Sequence, residues 1–135
     1  MRRAFLKWAL VNVLFLSALV LAAFSYDGHI HAVGKLAVAA VFAIYLISSA
    51  HAGYEAWHFA GSGIAATHHL DLSIRACPML AMLGTVGGFL VAFGGGLEDV
   101  QGRVLGASTG LAATFVGVSC ALVLMVHRHL LEHAR

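Results

Sequence analysis

Charge is what this chain has least of: Asp, Glu, Lys and Arg together make up 10% of its 135 residues, against about a quarter in a soluble domain. So little charge excludes a disordered chain and a soluble enzyme with a broad polar surface. Proline occurs once, at Pro78, and the 15 glycines follow no collagen-like period. The two cysteines, Cys77 and Cys120, lie at the edge of or within apolar runs. They fit small buried side chains better than a disulfide framework or a zinc site. Eight Lys/Arg against six Asp/Glu leave a net charge of +2, with no basic run beyond Arg2-Arg3, so nucleic acid is not an expected partner. What is abundant is apolar surface, with 61% hydrophobic residues and a mean hydropathy of +0.90. The expected environment is the lipid bilayer, and the expected fold is all-α, an integral membrane protein of four transmembrane helices forming one domain over residues 1–135.

Four apolar runs carry that expectation: residues 4–24, 33–50, 76–95 and 104–126, each about long enough to cross ~30 Å of hydrocarbon as a helix. Lys7 and Lys35 stand near span ends, where long stems carry an ammonium to the interface. The first run has some features of a secretory signal, a basic start and a small-residue site at Ala23-Phe24-Ser25. Its apolar stretch from Trp8 to Phe24 is longer than the usual signal core of about 7–15 residues, so a retained helix is expected. With the N-terminus in the cytoplasm, six of the eight Lys/Arg fall on that side. The positive-inside rule therefore places both termini there. The inner connection, His51 to Arg75, contains Gly61-Ser62-Gly63 as a break between an extension of the second helix and an amphipathic lead into the third.

Spans one and two are rich in Leu, Val, Ala and Phe, with Asn12, Ser17 and Tyr45 as their deep polar residues, and are expected to face lipid. Spans three and four differ: Gly84 and Gly88 are four apart, as are Gly102, Gly106 and Gly110, and Thr85, Ser108, Thr109, Thr114 and Ser119 interrupt the apolar background. Small residues at that spacing let helices approach closely in lipid, where packing drives association. No Asp or Glu falls inside the four runs, and none of the nine histidines falls mid-run. A proton path across this chain must therefore borrow a carboxylate from elsewhere.

Cys77-Pro78-Met79-Leu80-Ala81-Met82-Leu83-Gly84-Thr85-Val86-Gly87-Gly88-Phe89 resembles the third-helix motif of the MotA/TolQ/ExbB proton-channel family, in which a proline opens the helix and Leu-Gly-Thr-Val precedes another glycine. Leu111-Ala112-Ala113-Thr114-Phe115-Val116-Gly117-Val118 is similar to that family's last pore helix. The resemblance covers about residues 75–126, under half of the chain. It implies a small member of the family in a bacterial inner membrane. The subunit would be a homo-oligomer, a pentamer, around a single-span partner resembling the MotB/TolR/ExbD proteins. Proton or sodium flow would drive mechanical work.

By that resemblance Thr85, Thr114 and Thr109 line the ion pathway, while Gly84, Gly88, Gly106, Gly110, Gly117 and Pro78 serve helix packing. Thr109 stands where the ExbB and TolQ branch has a glutamate, and Val123 where it has a proline. The large cytoplasmic insertion of flagellar stators has no counterpart here. Neither a cofactor nor a metal is implied, and the chain is not read as an enzyme.

The alternative from a different class is a small metal- or haem-binding membrane protein. Seven histidines (His51, His58, His68, His69, His127, His129 and His133) fall on the cytoplasmic side of the expected topology. His51, Glu55 and His58 share one helical face. No HExxH-type cluster appears, and solvated interfacial imidazoles explain the same pattern.

Overall fold

A computed structural model describes residues 2–26, 32–58, 67–94 and 99–133. They form four helices: α1 (Arg2–Tyr26), α2 (Ala32–His58), α3 (His68–Gly94) and α4 (Val100–Glu132). The fold is all-α, and each helix is long and apolar enough to cross a membrane. The chain is thus a multi-pass membrane protein, as composition required: in hydrocarbon a helix satisfies its own backbone polar groups.

The helices run longer than the apolar runs that seed them. Residues 51–58 continue α2, and α3 begins at His68, with the Thr67 carbonyl accepting from the amides of Leu70 (3.0 Å) and Asp71 (3.2 Å). At the start of α4, Asp99 Oδ1 accepts from Gly102 N at 2.8 Å, capping the helix ahead of the expected boundary. Its far end continues past Val126 because Leu131 still finds a buried place and Arg128 pairs with Glu132 one turn on at 2.7 Å. Gly61-Ser62-Gly63 lies outside the described residues.

Helices consecutive in the chain are antiparallel. Ser48 of α2 meets Ser73 of α3, and Arg128 of α4 meets Asp71 of α3. Helices α2, α3 and α4 make the interior, while α1 lies outside it, touching α2 and α4 but not α3 among the described residues. That corrects the expectation that α2 faces lipid. Val41, Tyr45, Ser48, Ser49, Ala52, Gly53 and Ala56 are buried on one side of α2, a stripe at three- and four-residue spacings that uniform greasiness conceals. On α1, Leu6, Leu10, Val13, Leu14, Val20 and Leu21 are all exposed.

Pro78 is also corrected. It lies inside α3 rather than opening it. Without an N–H it leaves the Ile74 carbonyl without its helical donor. The helix continues because the turn containing Cys77 and Ala81 is buried against α4 at Gly117, where an added Cβ would stand 3.0 Å from the Cys77 carbonyl oxygen.

Candidate functional site

The seam between α3 and α4 is built from absent side chains. A Cβ on Gly88 would lie 2.5 Å from the Gly106 carbonyl oxygen and 2.7 Å from Gly110 N, so here backbone meets backbone. A Cβ on Gly84 would strike the methyls of Ala113 (2.7 Å) and Ala37 (2.8 Å), extending the contact to α2. Gly106 is equally confined, against Gly88 and Ala92, whereas a Cβ on Gly110 would meet Thr85 Cγ2 at 3.5 Å, an ordinary contact. The packing glycines are therefore graded, with Gly110 the most permissive.

On the outer lip of this seam the structure brings Thr85 and Thr114 together, their hydroxyl oxygens 2.7 Å apart. Thr85 is half-buried and Thr114 exposed. Thr85 Oγ1 also lies 2.9 Å from the Ala81 carbonyl oxygen and 3.3 Å from that of Gly110. Thr114 Oγ1 lies 3.0 Å from the Gly110 carbonyl oxygen.

Of the two hydroxyl protons one lies between the two oxygens, and the other goes to a carbonyl, that of Ala81 or Gly110. Both protons are taken up inside the subunit, and what points outward is oxygen lone pairs. Around the pair the surface is apolar, with Met82, Val86 and Phe89 of α3 and Leu111, Phe115 and Val118 of α4 exposed. Thr109 is placed elsewhere. It is fully buried within the helix packing, with its hydroxyl 2.6 Å from the Leu105 carbonyl oxygen.

A second polar group lies inside, where α1 crosses α2 and α4, drawn from residues that no motif in the sequence links. Asn12 Oδ1 accepts from Tyr45 Oη at 2.5 Å and from Ser49 Oγ at 2.7 Å. Its amide nitrogen lies 2.9 Å from the Trp8 carbonyl oxygen and 3.1 Å from His127 Nε2. Trp8 Nε1 donates to the Ser49 carbonyl at 3.0 Å, and its indole fills the space above Gly53. Tyr45 and His127 are 0% and 1% exposed, so His127 is a buried side chain and not a solvated interfacial one.

Glu55, on the extension of α2, is buried as well. The packed helices therefore hold more titratable groups than the apolar runs suggested. Four of the other described histidines form two pairs, His51 with His69 (ring centroids 4.1 Å apart) and His129 with His133 (4.0 Å), while His58 lies against Tyr54 (4.2 Å). No group of three or more His, Cys, Asp or Glu among the described residues is arranged to hold a metal ion.

No protein-family profile, curated protein or solved structure matches this chain.

Proposed function

We propose that the chain is a subunit of a proton or sodium channel in a bacterial inner membrane. It would assemble as a homo-oligomer, a pentamer by its resemblance to the MotA/TolQ/ExbB family, around a single-span partner like the MotB/TolR/ExbD proteins. Ion flow between them would be coupled to mechanical work. The observation that carries this reading is the Thr85–Thr114 pair: two hydroxyls from different helices, 2.7 Å apart, facing outward from an apolar surface. Polar groups facing lipid are costly, and those in membrane helices are ordinarily covered by another helix or a water-filled path. With both protons engaged internally, the pair offers acceptors to a donor or a cation: a protonated carboxyl, a water or a bare sodium ion. An ionised carboxylate is accommodated only when one hydroxyl leaves its carbonyl. Both termini on the cytoplasmic side, with six of eight Lys/Arg there, complete the proposed orientation.

The test is ion flux in liposomes carrying the chain with its copurified partner. Thr→Val keeps the β-branched shape and removes the hydroxyl. One such hydrogen bond is worth ~0.6–2 kcal/mol in a membrane interior. The Thr85→Val, Thr114→Val double variant should assemble normally and carry roughly 3- to 30-fold less flux, with the Ser versions retaining part of it. Wild-type flux in the double Val variant would overturn the pathway assignment.

A further inference from the structure

The cluster around Asn12 has an internal logic that fixes where protons sit. Asn12 must point its NH2 toward the Trp8 carbonyl oxygen, 2.9 Å away, because the reverse orientation would set two carbonyl oxygens face to face. Its second amide proton is then directed at His127 Nε2, which accepts and carries no hydrogen of its own. His127 is therefore a neutral imidazole with its proton on Nδ1. That nitrogen has no hydrogen-bond partner among the described residues. The amide of Asn12 is saturated, with two donated and two accepted bonds.

We propose that this cluster is a proton-operated clasp, in which uptake of one proton on His127 Nε2 undoes the attachment of α1 to α2 and α4. The proton comes from water. It forms an Nε2–H bond, and the Asn12 Nδ2–H···Nε2 hydrogen bond is lost because two donors now face each other. Turning the Asn12 amide over relieves that clash only by placing Oδ1 against the Trp8 carbonyl oxygen. It also takes from Tyr45 and Ser49 the acceptor for their hydroxyl protons. No rearrangement within the cluster satisfies all its members once His127 is charged, whereas the neutral form satisfies every atom of Asn12.

The groups around the imidazole leave its charge uncompensated. From α1 it meets Trp8 and Asn12, and Lys7 of the same helix is exposed. From α2 it meets Tyr45, whose hydroxyl proton is committed to Asn12. Asp71 of α3 and Glu132 of α4 are both paired with Arg128. Glu55 and the His51–His69 pair stand further toward the ends of α2 and α3, and the interior thiols Cys77 and Cys120 complete the set. The clasp matters because α1 is otherwise lightly held. It is apart from the Thr85–Thr114 pair and does not depend on what that pair conducts.

The experiment uses the full chain in lipid nanodiscs. Nitrogen-15 NMR of the histidines, with His127 assigned from His127→Gln, should show at neutral pH an imidazole with Nδ1 protonated and Nε2 bare, the minor form of free histidine in water. Spin labels at Leu14→Cys and Ile47→Cys, with Cys77→Ala and Cys120→Ala, report the α1–α2 distance. That distance should lengthen in step with the appearance of the doubly protonated ring. His127→Gln, which has no ring nitrogen to take up the proton, should keep the short distance through the same acidification. A ring holding its proton on Nε2 at neutral pH, or a label distance that stays fixed while the ring becomes doubly protonated, overturns the proposal.

Discussion

The α3–α4 seam and the α1 attachment solve the same problem in opposite ways. Along the seam the helices touch through Gly88, Gly106 and Gly110, and the threonine hydroxyls reach back to carbonyls of α3 and α4. At α1 the backbone stays at a distance, and an asparagine, a tyrosine, a serine and a histidine from three helices meet instead. In lipid there is no hydrophobic drive between helices, so association rests on close packing or on hydrogen bonds. The first is insensitive to protons and intolerant of added volume. The second depends on where protons sit.

The comparison breaks most severely at Gly106. Gly106→Leu forces a branched side chain into the backbone of α3 and should cost about 3 kcal/mol or more. Loss of the folded chain in a mild-detergent unfolding titration would register it. Asn12→Leu tests the other side. It leaves Tyr45, Ser49 and His127 without their shared partner, at an expected cost of about 1–3 kcal/mol. That loss should be confined to α1, so that protease or labelling access rises on α1 while α3 and α4 stay protected. A loss of protection on all four helices alike would show that α1 is no separate layer.

Two milder changes sharpen the contrast. Gly110→Ala adds a methyl at ordinary contact distance from Thr85, and should be neutral to stabilising by up to about 1 kcal/mol, unlike the same change at Gly88. The smallest effect belongs to Trp8→Phe. It keeps a ring against Gly53 and removes the donor to the Ser49 carbonyl, for about 0.6 kcal/mol, readable in the same titration.

Helix number and the α3–α4 contact were legible because their signals are local: apolar length, and glycines spaced by four. Thr85, Thr114 and Thr109 were singled out only through resemblance to a family motif; Thr85 and Thr114 lie in contact, while Thr109 is buried in the helix packing. The internal cluster was harder. Its signal was present in α4, where Gly106, Gly110, Ala113, Gly117, Cys120, Leu124, His127 and Leu131 alternate spacings of four and three and are all buried. His127 simply continues that stripe beyond the apolar run that defined the expected span. Asn12 and Tyr45 stood out as polar residues in greasy helices, but hydropathy averages say nothing about which helix a side chain faces. Pro78 misled for a related reason. A proline reads as a helix start, and only the burial of Cys77 and Ala81 against α4 shows that the helix runs through it.

Asn12 and His127 are 115 residues apart in the chain, and that distance is also a delay. At a synthesis rate of roughly 5–20 residues per second, the ribosome needs on the order of 6–23 seconds to make the histidine after the asparagine. During that interval one amide proton of Asn12 lacks its final acceptor. Tyr45 and Ser49 arrive first, 33 and 37 residues after Asn12, so the N-terminal helix can rest against α2 long before α4 exists. Helix α4, made after α2 and α3, is the one that completes the hold on α1.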